Sequence, residues 1–289
     1  MLPTLVTLDW FRGMVAIPAY GTMLLAAALV GGWLAVSGAG ASLAQGPKSV
    51  HRPRLRALAV VAGCILAGAA GARALDVALD AGWYAEDPGR MLAVEPRGFA
   101  LAGGLAAAAA AGVAGARWLG VGVGLLADHA VEALAAALVL LRIGCFLNGC
   151  CAGEPTDLPW GVTFPYGSSA WGAQVLSGHG GLLALSGHVD PVHPTQLYEA
   201  AAAILCCTLA IAVRRHTAGP AGSGALTFAS AFLAIRVAVE ALRPGQPGAT
   251  LPHEVLVALY AAGAVTVAAL LVGRWVTLRP RVASAGLAG

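Results

Sequence analysis

Seven long apolar stretches dominate this sequence and constrain its fold more than any other feature. A helix needs about 20 largely apolar residues to cross the hydrocarbon core of a bilayer. The stretches therefore predict an all-α, polytopic integral membrane protein of about seven transmembrane helices, with residues 1–289 forming a single membrane domain. They occupy residues 17–37, 57–76, 98–117, 121–141, 194–213, 223–242 and 251–272.

The composition excludes the main soluble classes. Only 11% of the 289 residues are charged, 58% are hydrophobic, and the mean hydropathy is +0.78. A soluble domain of this length needs more charge to cover its surface. The net charge of +3 is too small to indicate nucleic-acid binding. The N-terminal residues include Asp9 and Arg12 and lack the pattern of a cleaved signal peptide, so we expect the protein's own helices to retain it in the membrane.

One long connection, residues 148–192, separates the fourth and fifth spans. Its prolines and tryptophans predict a folded extracytoplasmic segment. Basic residues are enriched in the cytoplasmic loops of membrane proteins. With the N-terminus outside and the C-terminus in the cytoplasm, ten of the 17 basic residues lie on the cytoplasmic side, so we expect this orientation. These ten are Lys48, Arg52, Arg54, Arg56, Arg117, Arg214, Arg215, Arg274, Arg279 and Arg281.

Ionisable side chains inside the predicted spans indicate a polar interior, because charges in a bilayer are costly. Asp128, Glu132 and Arg142 share an arc of about 80° on the fourth helix. The sixth helix carries three further charges at positions i, i+4 and i+7, again on one face: Arg236, Glu240 and Arg243.

These charges have two interpretations. They can be ion pairs that hold helices together, for example Glu240 with either arginine. Alternatively, Arg142 and Arg236 form a phosphate clamp, because guanidinium groups bind phosphate oxygens bidentately. The fifth helix is expected to begin with Pro194 at its first position, which places Gln196 and Glu199 on one face.

Three segments of this sequence resemble motifs of the bacterial prolipoprotein diacylglyceryl transferases. Arg142–Gly153 (RIGCFLNGCCAG) resembles the family signature, His193–Glu199 (HPTQLYE) its His-Pro-Ser/Thr-Gln block, and Arg236–Arg243 (RVAVEALR) its late Arg-x-x-x-Glu-x-x-Arg. With weaker matches in the same order, the resemblance covers roughly residues 17–272. The weaker matches are Tyr20-Gly21, Gly71-Ala72-Arg73, Tyr84, Pro88, Gly103-Gly104, Asp128, Pro159-Trp160-Gly161 and Phe164-Pro165.

The resemblance implies a reaction. Members of the family transfer diacylglyceryl from phosphatidylglycerol to the lipobox cysteine thiol of a preprolipoprotein and release glycerol phosphate. The expected partners are therefore phosphatidylglycerol, the lipobox segment and membrane lipids of the bacterial inner membrane. We expect no cofactor and no metal. Arg142 and Arg236 are the expected catalytic residues, and the expected substrate-binding residues are Tyr20, Asn148, Gly153, His193, Gln196, Tyr198, Glu199, Glu240 and Arg243.

The sequence departs from the family pattern at four positions and resembles a divergent, Cys-rich branch. Ala102 replaces a common histidine, Cys145 an asparagine, Cys150 a glutamate and Phe232 a tyrosine. A base at the position of Ala102 is therefore missing. Two accounts of thiol activation remain open: the field of the arginines lowers the pKa of the thiol, or a group such as His193 or Glu240 accepts its proton.

Other functions remain as alternatives. One is a related head-group transferase with another acceptor, and another is a lipid-binding or metal-binding membrane protein that is not an enzyme. Metal ligands would come from the loop, but Cys-x4-Cys-Cys is not a standard zinc spacing, and a disulfide suits an oxidising compartment better. The candidate ligands are Cys145, Cys150, Cys151, His179, His188 and His193; Cys64, Cys206 and Cys207 are interpreted as buried apolar residues.

Overall fold

Each of the seven apolar stretches forms a helix. The computed structural model describes residues 4–10, 13–44, 52–92, 100–177, 189–217, 219–243 and 252–278. The long helices are α1 (Ala19–Ala44), α2 (Pro53–Leu79), α4 (Leu101–Leu119), α5 (Val123–Asn148), α7 (Thr195–His216), α8 (Ser223–Glu240) and α9 (His253–Leu278). Shorter helices are α3 (Ala81–Glu86), a 3₁₀ helix (Pro88–Leu92) and α6 (Ser169–Leu176).

Six of the long helices in the described residues have the length and hydropathy to cross a membrane. The seventh, α4, has 19 residues rich in Ala and Gly and lies where a span was predicted. The predicted polytopic helical membrane fold is thus confirmed. An N-terminal antiparallel hairpin, β1 (Thr4–Trp10) and β2 (Gly13–Pro18), is an addition that helical periodicity does not signal.

The chain divides into two compact units, Gly32–Ala130 and a second unit of Met1–Gly31 with Val131–Gly289. In the first unit, glycines let α2 and α4 approach closely, as small residues do in membrane helices. A Cβ added to Gly71 would lie 2.6 Å from the carbonyl oxygen of Gly103. Close packing therefore accounts for Gly71 and Gly103. The prediction of a single membrane domain stays a prediction.

In the second unit, helices α5, α7 and α8 share a hydrophobic core. Its buried members are Val131, Ala135, Cys206, Ala210 and Phe228. Cys206 is a fully buried apolar residue of this core, and Cys207 packs against it. The interpretation as a buried apolar residue is confirmed for Cys206, whereas Cys64 and Cys207 are only partly buried.

The connection between α5 and α7 is folded where it is described. Val162 and Val192 form an isolated antiparallel bridge, and their backbone groups exchange two hydrogen bonds of 3.0 and 3.1 Å. Val192 is also buried with Phe164 and Ala170 in a small hydrophobic cluster. The connection thus packs as a segment with its own apolar cluster, while residues 178–188, including His179 and His188, lie outside the described residues.

Candidate functional site

Helix α5 ends in a tight turn that the signature segment forms. Gly149 has φ +70°, and its N–H donates to the carbonyl oxygen of Phe146 at 3.2 Å. A Cβ on Gly149 would lie 2.9 Å from the Cδ1 of Phe164 and from the Cβ of Ser168. The left-handed backbone and this close approach both favour glycine.

Side chains at the start of α7 hold this turn. Thr195 Oγ1 donates to the carbonyl oxygen of Cys151 at 2.7 Å, and Gln196 Nε2 donates to that of Cys150 at 2.6 Å. Thr195 and Gln196 are fully buried. The helix begins at Thr195 and Pro194 is its N-cap, one residue earlier than expected for this proline. The two motifs, far apart in sequence, therefore form one structure.

Gly153 lies where three segments meet. Its N–H donates to the carbonyl oxygen of His193 at 2.9 Å, and the next N–H, of Glu154, donates to that of Leu242 at 2.8 Å. A Cβ on Gly153 would lie 2.7 Å from the Leu242 oxygen and 2.9 Å from the Cγ2 of Thr195. Gly153 thus allows the signature loop to contact both the start of α7 and the end of α8.

Glu199 is the centre of a buried ionic cluster. One of its oxygens accepts a hydrogen bond from Arg236 at 2.7 Å and another from Arg243, and its second oxygen lies 2.5 Å from an Arg142 nitrogen. The Glu199 side chain is 1% exposed and the three arginine side chains 10–15%. Arginines from α5, from α8 and from just beyond α8 thus converge on one carboxylate of α7.

Glu240 supplies the second carboxylate of this cluster. It lies 2.5 Å from an Arg236 nitrogen and 3.8 Å from an Arg243 nitrogen. Three guanidinium groups therefore face two carboxylates, and one positive charge is uncompensated among these five groups. The Arg142 Nε is also buried, with no hydrogen-bond partner in the described part of the chain. An anion bound here would accept a hydrogen bond from the Arg142 Nε and neutralise the excess positive charge.

Tyr20, Asn148 and Tyr198 lie around the same turn. Tyr20 on α1 contacts α5, since a Cβ on Gly144 would lie 3.5 Å from its Cδ2. Asn148 lines a cavity of about 200 Å³ together with residues 165–169. Tyr198 accepts a hydrogen bond from the Trp160 indole at 2.8 Å, and its oxygen is 3.3 Å from the His193 Nδ1. The His193 imidazole and the Tyr198 phenol therefore link the start of α7 to the loop that carries Trp160.

The three cysteines of the signature also converge. Their sulfur atoms all lie within 4.8 Å of one another, and all six cysteines of the chain, each in a described segment, are free thiols. The pKa of the Cys151 thiol is lowered, first because the thiols of Cys145 and Cys150 hydrogen-bond to it, and further by the nearby Arg243 and Arg142.

All eleven residues predicted for the site lie in the same compact unit. Two other residues behave differently from the sequence interpretation. Glu132 pairs with Arg214 near the far end of α7, although it shares an arc with Arg142. Ten helical residues separate Glu132 from Arg142, which is about 15 Å along the axis. Phe232 stacks on Phe228 at 5.7 Å in the helical core, so that departure concerns packing.

The sequence analysis did not assign Thr195 to the site, and it named Cys151 only as a candidate metal ligand. Thr195 holds the signature turn and contacts the Nε of Arg243 at 3.4 Å. Its place within the His-Pro-Thr-Gln block is a signal that could have identified it. Cys151 has a left-handed backbone, with φ +61°, and no sequence pattern signals that.

The fold and the site define an integral membrane protein with a buried cluster of arginines beside a tight turn. A family model described as prolipoprotein diacylglyceryl transferase matches residues 8–279. The chain therefore belongs to the prolipoprotein diacylglyceryl transferase family.

Curated relatives named phosphatidylglycerol–prolipoprotein diacylglyceryl transferase match parts of the chain. One from Geobacter sulfurreducens is 35% identical over 163 residues, which cover 56% of this chain and 54% of the relative. One from Nitratidesulfovibrio vulgaris is 29% identical over 189 residues, 64% of this chain and 61% of the relative. One from Paenarthrobacter aurescens is 27% identical over 234 residues, 80% of this chain and 70% of the relative. The matches thus span only 54% and 61% of the length of the first two relatives.

Proposed function

We propose that this protein transfers the diacylglyceryl group of phosphatidylglycerol to the lipobox cysteine thiol of a preprolipoprotein and releases glycerol phosphate. The observation that carries the proposal is the convergence of Arg142, Arg236 and Arg243 on Glu199 beside the signature turn. The curated relatives carry names for this activity. The direct test is lipidation of a lipobox peptide by the purified protein in phosphatidylglycerol micelles.

The charge of the cluster suits a phosphodiester. Among the three guanidinium and two carboxylate groups, one positive charge remains, and a phosphodiester carries one negative charge. The buried Arg142 Nε supplies a donor that no described protein group uses. We therefore assign phosphate binding to Arg142 and Arg236, with Arg243 and Glu240 as flanking groups.

The same groups stabilise the leaving group. When the substrate sulfur attacks the glyceryl carbon, the C–O bond to phosphate breaks and the phosphate gains negative charge. Guanidinium donors already fixed by Glu199 and Glu240 stabilise that charge without reorganising. Glu199 is thus a positioning residue that holds three like charges together. Glu240 contacts two of these arginines, and we assign it the same positioning role.

We assign the polar residues around the turn to the head group and the acceptor. Asn148 lines the cavity, and Gln196 has a buried side-chain oxygen with no hydrogen-bond partner in the described part of the chain. Both can bind the glycerol hydroxyls of the head group. Tyr20, His193 and Tyr198 border the same turn, and Gly153 allows its close packing.

We propose the bacterial inner membrane as the location, with the N-terminus and the site outside and the C-terminus in the cytoplasm. Helix α7 has 22 residues, about 33 Å in length, so its two ends lie at opposite faces of a bilayer. The site lies at its first turn, and Arg214 and Arg215 lie in its last turn. Basic residues favour the cytoplasmic side.

Cysteine labelling in intact cells tests this orientation. Ser169 and Thr217 are exposed, one at the start of α6 beside the site and one after the last turn of α7. We expect an impermeant thiol reagent to label Ser169→Cys in intact cells, and Thr217→Cys only after the membrane is opened. The parent protein, with its six native thiols, gives the background. If Thr217→Cys alone were labelled in intact cells, the proposed orientation would be wrong.

A further inference from the structure

The three signature cysteines form a cluster that the proposed transfer chemistry does not yet use. Cys145 is buried in the last turn of α5, and Cys150 and Cys151 follow the helix end. Adjacent cysteines normally point apart, but here all three sulfur atoms lie within 4.8 Å of one another. The left-handed backbone of Gly149 and of Cys151 turns both later thiols towards Cys145.

This arrangement is held from outside the turn. The carbonyl groups of Cys150 and Cys151 are fixed by hydrogen bonds from Gln196 and Thr195, at 2.6 and 2.7 Å. A non-glycine residue in the left-handed region persists only where its surroundings hold it, and such residues concentrate at functional sites. The positions of the Cys150 and Cys151 thiols therefore depend on the two α7 side chains that hold their backbone.

The spacing of the sulfur atoms suits one thiophilic metal ion. Zinc binds thiolate at about 2.3 Å, so two sulfur ligands of a tetrahedral site lie about 3.8 Å apart. Rotation of the thiol side chains by about 1 Å closes the cluster to that spacing. Three protein ligands with an open fourth position are typical of catalytic zinc sites, whereas structural sites have four.

We propose that Cys145, Cys150 and Cys151 form a three-thiolate zinc site whose open position binds the lipobox cysteine thiol. The second half of this inference rests on the proposed function. Geometry supports the placement, because Thr195 Oγ1 donates to the Cys151 carbonyl oxygen at 2.7 Å and lies 3.4 Å from the Nε of Arg243. The site would therefore lie beside the phosphate-binding arginines.

A zinc site supplies a means of deprotonating the substrate thiol, which the arginine cluster lacks. A thiol that binds zinc loses its proton, here to the water it displaces and then to solvent. The bound thiolate sulfur forms the new S–C bond with the glyceryl carbon as the C–O bond breaks. The glycerol phosphate leaves with the bonding electron pair, and the thioether product is a weaker zinc ligand that can dissociate.

The metal content of the purified protein tests whether the three cysteines bind zinc. The full chain, purified in detergent with a reducing agent, is expected to contain about one zinc per protein. Substitution by cobalt is expected to give thiolate-to-metal charge-transfer absorption. Cys145→Ser, Cys150→Ser and Cys151→Ser should each lose most of the zinc and of this absorption. Cys64→Ser and Cys207→Ser, which change thiols of the helices, should keep both.

A peptide experiment tests, without relying on turnover, whether the lipobox cysteine thiol binds at the open zinc position. A lipobox peptide should intensify the charge-transfer absorption of the cobalt protein as a fourth thiolate binds, and the same peptide with serine for cysteine should not. Folded protein without stoichiometric zinc, selective binding of copper(I) instead, or a disulfide among the three cysteines in freshly alkylated membranes would overturn the inference.

The outcomes separate this inference from the proposed function. Lipidation by protein that is free of zinc and insensitive to a chelator would overturn the zinc site and leave the transferase intact. Zinc bound by the three cysteines, with the peptide effect on the cobalt spectrum but without lipidation, would support the site and contradict the transferase.

Discussion

Glu199→Gln is expected to abolish transfer and to destabilise the folded protein by about 3–5 kcal/mol, because it leaves buried charges without their counterion. Glu199 is 1% exposed and pairs with Arg142, Arg236 and Arg243. Glutamine keeps the shape of the side chain but removes its charge. Arg236 and Arg243 would then keep only Glu240 as a carboxylate partner, and Arg142 would lose its paired carboxylate.

The measurements for this variant are the midpoint of thermal unfolding in detergent and the rate of peptide lipidation. Glu132→Gln is the matched control, since it also removes a carboxylate paired with an arginine, Arg214, but at 35% exposure and away from the site. We expect the control to keep near-normal lipidation, because Glu132 pairs with Arg214 at the other end of α7 from the cluster. Equal losses in the two variants would show that Glu199 has no special role.

Arg142→Lys and Arg236→Lys are each expected to lower kcat/KM by roughly 5- to 150-fold, which corresponds to about 1–3 kcal/mol of lost transition-state stabilisation. Lysine keeps the positive charge but cannot bind a phosphate bidentately. Arg142 is expected to show the larger loss, because its Nε is the buried donor with no partner in the described part of the chain.

Arg214→Lys provides the control for these variants, since Arg214 pairs with Glu132 away from the cluster. It should keep near-normal kcat/KM. Thermal unfolding of all three variants separates a loss of chemistry from a loss of folding. Near-normal turnover in Arg142→Lys and Arg236→Lys, with the protein folded, would reduce these residues to structural ion-pair partners.

The helices, and the faces that carry charge, could be predicted from the sequence. Apolar length gave the spans within several residues at most ends, and the spacing of Arg236, Glu240 and Arg243 placed them on one face. The partners of these charges could not be predicted. Which carboxylate meets which arginine depends on the depth and rotation of separate helices, and a single sequence does not specify these.

Glu132 and Arg142 illustrate this limit. They share a face of α5, yet one pairs with the last turn of α7 and the other with its first turn.

The cysteine cluster illustrates another limit of prediction from the sequence. In a regular backbone, the adjacent thiols of a Cys-x4-Cys-Cys segment would point apart and would not share a site. The left-handed conformation of Cys151 instead brings the three sulfur atoms within 4.8 Å of one another.

The most direct test of the central claim is the mass of a lipobox peptide after incubation with the purified protein in phosphatidylglycerol micelles. The account predicts a peptide heavier by one diacylglyceryl group, attached to cysteine through a hydroxylamine-resistant thioether, with glycerol phosphate released. The same peptide with serine for cysteine should be unchanged. An unmodified cysteine peptide, under conditions in which the Geobacter sulfurreducens relative modifies it, would contradict the account.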